Sequence, residues 1–222
     1  MPRPGRTRLG FVLNRLLYPT DFCYLTVWRL LGWPRQSWAE IQQVKAALLE
    51  QPAPRVFEWG LGASTLWYTH WLASQGRDYR WYGVDHDRVW HAYVVARADS
   101  ERVSVTCAPF EDWTMDDATQ RYVSTPAHDA YIEAPLRLGG TFDLLVIDGR
   151  FRRRCVDVAM QVVRPGGLVL LSEAQRTFYH CSLAQYPGQF VAAGHTPGIL
   201  EGTPLTWIAR GPSVKSKTKS SM

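Results

Sequence analysis

From residue 55 onward, short runs of consecutive apolar residues alternate with stretches whose apolar positions recur every three or four residues. The runs predict strands at RVFE (55–58), RWYGV (80–84), VSVT (103–106), FDLLVI (142–147) and GLVLL (167–171). Between them, Trp67 with Trp71 and Tyr68 with Leu72 are four apart. Cys155, Val158, Ala159 and Val162 form a second helical stripe, which makes Cys155 a core residue and not a nucleophile. Strand and helix in alternation imply right-handed crossovers and a parallel sheet. Phe190 to Ala193 and Leu205 to Ala209 read as two closing strands joined by a Gly- and Pro-rich connection, so that one of them runs antiparallel.

The ends break this rhythm. GFVLNRLLY and FCYLTVWRLLGW are aromatic, arginine-bearing and helical in pattern, with Thr20 or Asp21 as cap and Gly32 as stop. Ser37 and Glu40 have capping-box spacing, and Ile41, Val44 and Leu48 follow on one face before QPAP at 51–54 ends the helix. Residues 1–50 are therefore expected to be a helical appendage, 51–211 the main domain and 212–222 a disordered basic tail. The appendage is expected to pack over the main domain or a partner subunit, leaving a homo-oligomer open, with peripheral membrane contact as the alternative. Residues 111–140 carry no clear periodicity and predict a lid or loop that touches substrate.

Composition narrows the class. The formal charge of +5 sits at the two ends, on arginines such as Arg3, Arg6 and Arg8 and on Lys215, Lys217 and Lys219, leaving a slightly acidic body. That distribution speaks against a nucleic-acid groove within the fold. Four scattered cysteines without a CxxC pair suggest neither a zinc site nor a disulfide framework. No apolar run approaches the roughly 18–20 residues of a membrane span. Reduced thiols and a cytoplasmic location are the expectation.

The first strand ends in an acidic residue and opens into a glycine turn: Glu58, Gly60, Gly62 and Ser64. Two glycines let the backbone turn tightly and approach a ligand, and a carboxylate there suits a cationic amino group such as that of S-adenosylmethionine (SAM). An ordinary strand-to-helix turn has the same look. A dinucleotide fold wants a third glycine, and Thr65 holds that position. The second strand ends at Asp85, where a carboxylate can accept from both hydroxyls of a ribose, a group shared by SAM and NAD.

In that order, VFEWGLGASTLW, YGVDHD, FDLLVIDGRFR and VVRPGGLVLL resemble the motifs of class I SAM-dependent methyltransferases over roughly residues 55–175. EWGLGASTLW and VIDGRFRRRC are most similar to a group of small methyltransferase-like proteins. The resemblance implies a Rossmann-like, doubly wound α/β fold with a mostly parallel seven-stranded sheet, its last strand antiparallel, behind the N-terminal helical extension. It implies SAM as cofactor, with Glu58, Gly60, Gly62 and Ser64 around the methionine part, Asp85 and His86 at the ribose and adenine, and Phe110 or Glu111 near the adenine. Asp148 would face the transferred methyl group as first candidate for a catalytic base, with His180 second.

Arg150 heads the run Arg152, Arg153, Arg154 and is the candidate to hold an anionic part of the substrate. Ser172 and Glu173 stand where metal-dependent relatives carry an Asp-Asn pair, so no metal is expected. The reaction implied is methyl transfer to an oxygen or nitrogen of a small-molecule, glycan-like or peptidic acceptor. A non-catalytic SAM-fold binding protein and an NAD-dependent oxidoreductase are the alternatives.

Overall fold

The computed structural model of the chain describes residues 32, 34, 36, 38–111, 115–116, 121–192 and 205–212. The aromatic stretches before residue 32 and the tail after 212 lie outside the described residues. The chain forms a helix α1 (Trp38–Leu49), strand β1 (Arg55–Trp59), helix α2 (Ala63–Ser74), β2 (Arg80–Asp85), α3 (Arg88–Val95) and β3 (Val103–Cys107). A short antiparallel pair β4 (Met115–Asp116) and β5 (Arg121–Tyr122), a 3-10 turn Pro126–His128 and the short helices α4 (Asp129–Ile132) and α5 (Ala134–Arg137) follow. Next come β6 (Phe142–Ile147), α6 (Arg152–Val162), β7 (Val163–Leu171), a 3-10 turn Thr177–Tyr179, α7 (His180–Leu183), β8 (Gly188–Ala192) and β9 (Leu205–Arg210).

Seven strands form one sheet in the order β3-β2-β1-β6-β7-β9-β8. β1, β2, β3, β6 and β7 pair in parallel, while β9 runs antiparallel to both β7 and β8. The doubly wound sheet with its last strand reversed is thus the one implied by the sequence. Both faces are covered, which explains why FDLLVI reads as an unbroken apolar run. Leu145 and Ile147 enter one core with Phe57, Cys155, Val156 and Ala159, whereas Leu144 and Val146 enter a second with Ile41, Val44, Leu48, Tyr68 and Leu72. Cys155 is wholly buried, and burial pushes its thiol up, so it stays an unreactive core residue.

Ser37, half of the expected capping box, lies outside the described residues, and Glu40, the other half, is 7% exposed. One expectation changes. Residues 126–137, expected as irregular lid, carry helical turns whose Tyr131 and Ile132 are wholly buried. Elements of four residues are too short to show periodicity, and a tertiary clip secures them: the Trp59 indole Nε1 donates to the carbonyls of Tyr131 (3.1 Å) and Ile132 (3.2 Å). Among the described residues, no helix is long and apolar enough to cross a membrane.

Candidate functional site

The strand order turns back between β1 and β6, and in open α/β sheets the crevice beyond the carboxyl ends of such strands is where ligands bind. Two backbones nearly touch there. Gly60 has φ +89°, and a Cβ on it would lie 2.7 Å from the Cα of Gly149; a Cβ on Gly149 would lie 1.8 Å from the Tyr131 hydroxyl. The Tyr131 hydroxyl in turn accepts from the Arg150 amide at 3.0 Å. Glycine is thus required at both strand ends, and the space saved opens a cleft of about 350 Å³ lined by Gly60, Gly62, Ser64, Asp85, Asp148 and Arg150 among others.

Glu58 lies beneath this turn. It is 1% exposed and does not line the cleft. Its carboxylate accepts from the Ser64 hydroxyl (2.7 Å), the Thr65 hydroxyl (2.7 Å) and the Trp81 indole (3.1 Å), while the Gly62 amide donates to Thr65 Oγ1 (3.1 Å). The direct ion pair expected between Glu58 and a ligand ammonium is therefore not the arrangement found, because strand alternation points Glu58 into the α2 side of the core. Burial pushes its carboxyl up to about 7, against the three donors that favour the anion.

Asp85, at the end of β2, does line the cleft. Its Oδ2 accepts from the Leu61 amide at 2.7 Å and its Oδ1 from the Asp87 amide at 2.8 Å, so one carboxylate fixes both the glycine turn and the start of α3. Asp87, a cleft residue not singled out from the sequence, caps α3 by accepting from Val89 N at 2.7 Å. His86 lines the cleft with its Nδ1 3.1 Å from Asp85 Oδ1 and its ring stacked on Phe110 (centroids 4.8 Å apart). Phe110 is buried behind His86 in an aromatic group with His128, Tyr131 and Phe151, and Glu111 is exposed; neither lines the cleft.

Asp148 faces the cleft from the end of β6, 3.0 Å from the Arg152 guanidinium. Arg152 also donates to the carbonyls of Asp148 (2.7 Å), Gly149 (3.0 Å) and Ser172 (2.6 Å), which binds the ends of β6 and β7 together. Glu173 lies 3.6 Å from the same guanidinium, so Asp148 and Glu173 share one cation.

The arginine run divides by direction: Arg153 donates to Ser182 (2.9 Å), Arg154 pairs with Asp129 (3.0 Å), and Arg150 stays exposed at the cleft. His180 is a correction. Its Nε2 lies 3.0 Å from the Ala174 carbonyl and its ring rests against Phe190 of β8, away from the cleft, because the chain after β7 turns into α7 toward the β8 side.

Sequence reasoning passed over a polar group on the other wall. Gln36 lines the cleft; its Oε1 accepts from the Tyr68 hydroxyl (2.6 Å) and its Nε2 donates to Glu40 Oε1 (3.1 Å), which also accepts from the Ser172 hydroxyl. The available signal was an acidic residue on the apolar stripe of α1, four before Val44 and eight before Leu48.

A family model described as a methyltransferase domain matches residues 57–173. No curated protein matches the chain. Among solved structures, a methyltransferase-like protein from Silicibacter pomeroyi is similar with a TM-score of 0.50 at 17% identity, over 83% of this chain and 93% of that one. An O-methyltransferase from Bacillus cereus, solved in complex with S-adenosylhomocysteine (SAH), has a TM-score of 0.52 at 16% identity, over 84% and 88% of the two chains. At these identities the likeness is one of fold.

Proposed function

The chain belongs to the methyltransferase-domain family, and from that premise we propose that it transfers the methyl group of SAM to an oxygen or nitrogen of a small acceptor held at the mouth of the β1/β6 cleft. The observation that carries this reading is the joint geometry of Gly60, Gly149 and Asp85: backbones pressed together to open a crevice, with a buried carboxylate on its floor. The donor set fits the cofactor. Asp85 retains acceptor capacity for vicinal hydroxyls, and the carboxylates of Asp85, Asp87 and Asp148 suit a ligand with positive charge. When bound, SAM supplies a methyl group activated on a sulfonium centre.

The chain's own residues supply alignment and proton handling. Glu58 holds Ser64 and Thr65, and through Thr65 the Gly62 amide, so the turn is set before any ligand arrives. Gly60, Gly62 and Ser64 surround the amino-acid end, and Asp85 and His86 the ribose and adenine. Asp148, oriented by Arg152, faces the acceptor and receives or orients the proton it must lose; Arg150 at the rim holds an anionic part of the acceptor.

The test is calorimetric titration of the full chain with SAM, SAH and NAD, repeated on Asp85→Ala. SAM and SAH binding that is lost in the variant supports the reading. Binding of NAD alone, or of neither SAM nor SAH, overturns it. Binding of SAM with no turnover across a panel of hydroxyl and amine acceptors would instead favour a cofactor-binding protein without catalysis.

A further inference from the structure

Behind Gln36 in the wall of the cleft lies a carboxyl group that the methyl-transfer reading does not use. Glu40 projects from α1 into a polar enclosure built by four elements. Ser172, after β7, donates to its Oε1, as does Gln36, which itself receives the Tyr68 hydroxyl from α2. Asp148, after β6, and Arg152, at the start of α6, face it as the charged neighbours, the first repelling its anion and the second attracting it. Gln36 lines the cleft, so Glu40 stands one hydrogen bond behind the surface a ligand would touch. Burial, and then the charge of Asp148, push its carboxyl up to about 7, which sets its charge changing in the physiological range.

We propose that Glu40 is a specificity-determining residue of the cleft, acting through Gln36 and the Asp148–Arg152 pair: its carboxylate is charged when a cationic cofactor is bound and protonated when a product of lower charge replaces it. The inference rests on the reading that the cleft takes SAM. That molecule carries an ammonium, a sulfonium and a carboxylate, for a net charge of +1, and SAH lacks the sulfonium charge. A cation entering the cleft favours ionised Glu40 and drives its proton to the solvent. By linkage, ionised Glu40 favours the cation over the neutral thioether. When the methyl group has left, the cleft holds one positive charge less and Glu40 takes a proton back from solvent, so cofactor is preferred to product by less than a permanently ionised group would impose. Glu40 is a positioning and charge-setting residue and does not touch the reacting atoms.

The experiment is calorimetric titration of the full chain with SAM and with SAH at pH 6, 7 and 8, in buffers of different ionisation enthalpy. The expected result is net proton release on SAM binding around pH 6–7, less on SAH binding, and a SAM-to-SAH affinity ratio that rises with pH, by up to about tenfold for each unit by which the cation displaces the titration of Glu40. Glu40→Gln should abolish the proton release and flatten the ratio.

Glu58→Gln is the companion variant, because that carboxyl is also buried and also titrates near neutrality. Loss of the release in Glu58→Gln and not in Glu40→Gln overturns the assignment. SAM binding by the wild-type chain with no buffer-dependent enthalpy and a constant ratio overturns it without any variant. Failure of SAM to bind at all overturns the cofactor reading, and this inference with it.

Discussion

At Glu58, three donors converge on one carboxylate that sees no solvent, and the consequence is a rigid glycine turn. A carboxylate so placed braces the backbone of the turn and presents no charge at the cleft surface. Asp148 is the contrasting case: one-third exposed, at a strand end, aligned by a guanidinium. Asp148→Asn is expected to lower kcat by about two orders of magnitude or more while leaving SAM affinity within a few-fold, as removal of a proton-handling group does; single-turnover rates with a found acceptor check it. His180→Ala, by comparison, should leave kcat/KM within about twofold, since its ring packs against β8. Gly149→Ala introduces a Cβ 1.8 Å from the Tyr131 hydroxyl and 2.9 Å from the Gly60 nitrogen. The overpacking should cost at least the upper end of about 1–3 kcal/mol in urea unfolding, and pairing it with Tyr131→Phe should restore part of the loss.

Among the elements, α1 shows most clearly how packing and site are coupled. Its Ile41, Val44 and Leu48 sit against Val56 of β1 and Leu144 of β6, and Glu50, just past its end, pairs with Arg210 of β9 through two 2.7 Å contacts. The same helix carries Glu40, and Gln36 precedes it. Leu48→Ala should therefore destabilise the fold by about 2–5 kcal/mol and also weaken SAM binding, because α1 delivers Gln36 to the cleft; denaturation and calorimetry on one preparation test both parts. A stability loss with unchanged affinity would mean that the cleft wall stands without α1. The short helices α4 and α5 make a related point: they were read as lid, yet α4 is pinned by Trp59 and its Tyr131 meets the Arg150 amide, so none of their residues lines the cleft.

For the whole molecule, two buried carboxyls that titrate near 7 affect stability with a definite sign. Glu40 and Glu58 hold a proton more tightly when folded than the ordinary value of 4.5 allows in the unfolded chain. The folded state therefore binds more protons between pH 4.5 and 7, and the stability these groups contribute is present below that window and lost as pH rises through it. The loss is on the order of 3 kcal/mol per group. Urea unfolding followed from pH 5 to 8 should show a shallower decline in Glu58→Gln than in the wild type; an equal slope would mean that Glu58 stays ionised throughout. The five parallel strands β1, β2, β3, β6 and β7, the stripe of α6 and the placing of Gly60, Asp85 and Asp148 at strand ends were legible in the sequence, because periodicity and turn chemistry act over a few neighbouring residues. Which of these side chains faces the cleft was not. Strand alternation sent Glu58 inward, one arginine of four was drawn into the β6/β7 ends, His180 was carried to β8, and Glu40 met Ser172 from 132 residues away. Those outcomes depend on contacts between segments far apart in the chain, and a buried polar group finds its partners only once the segments have packed.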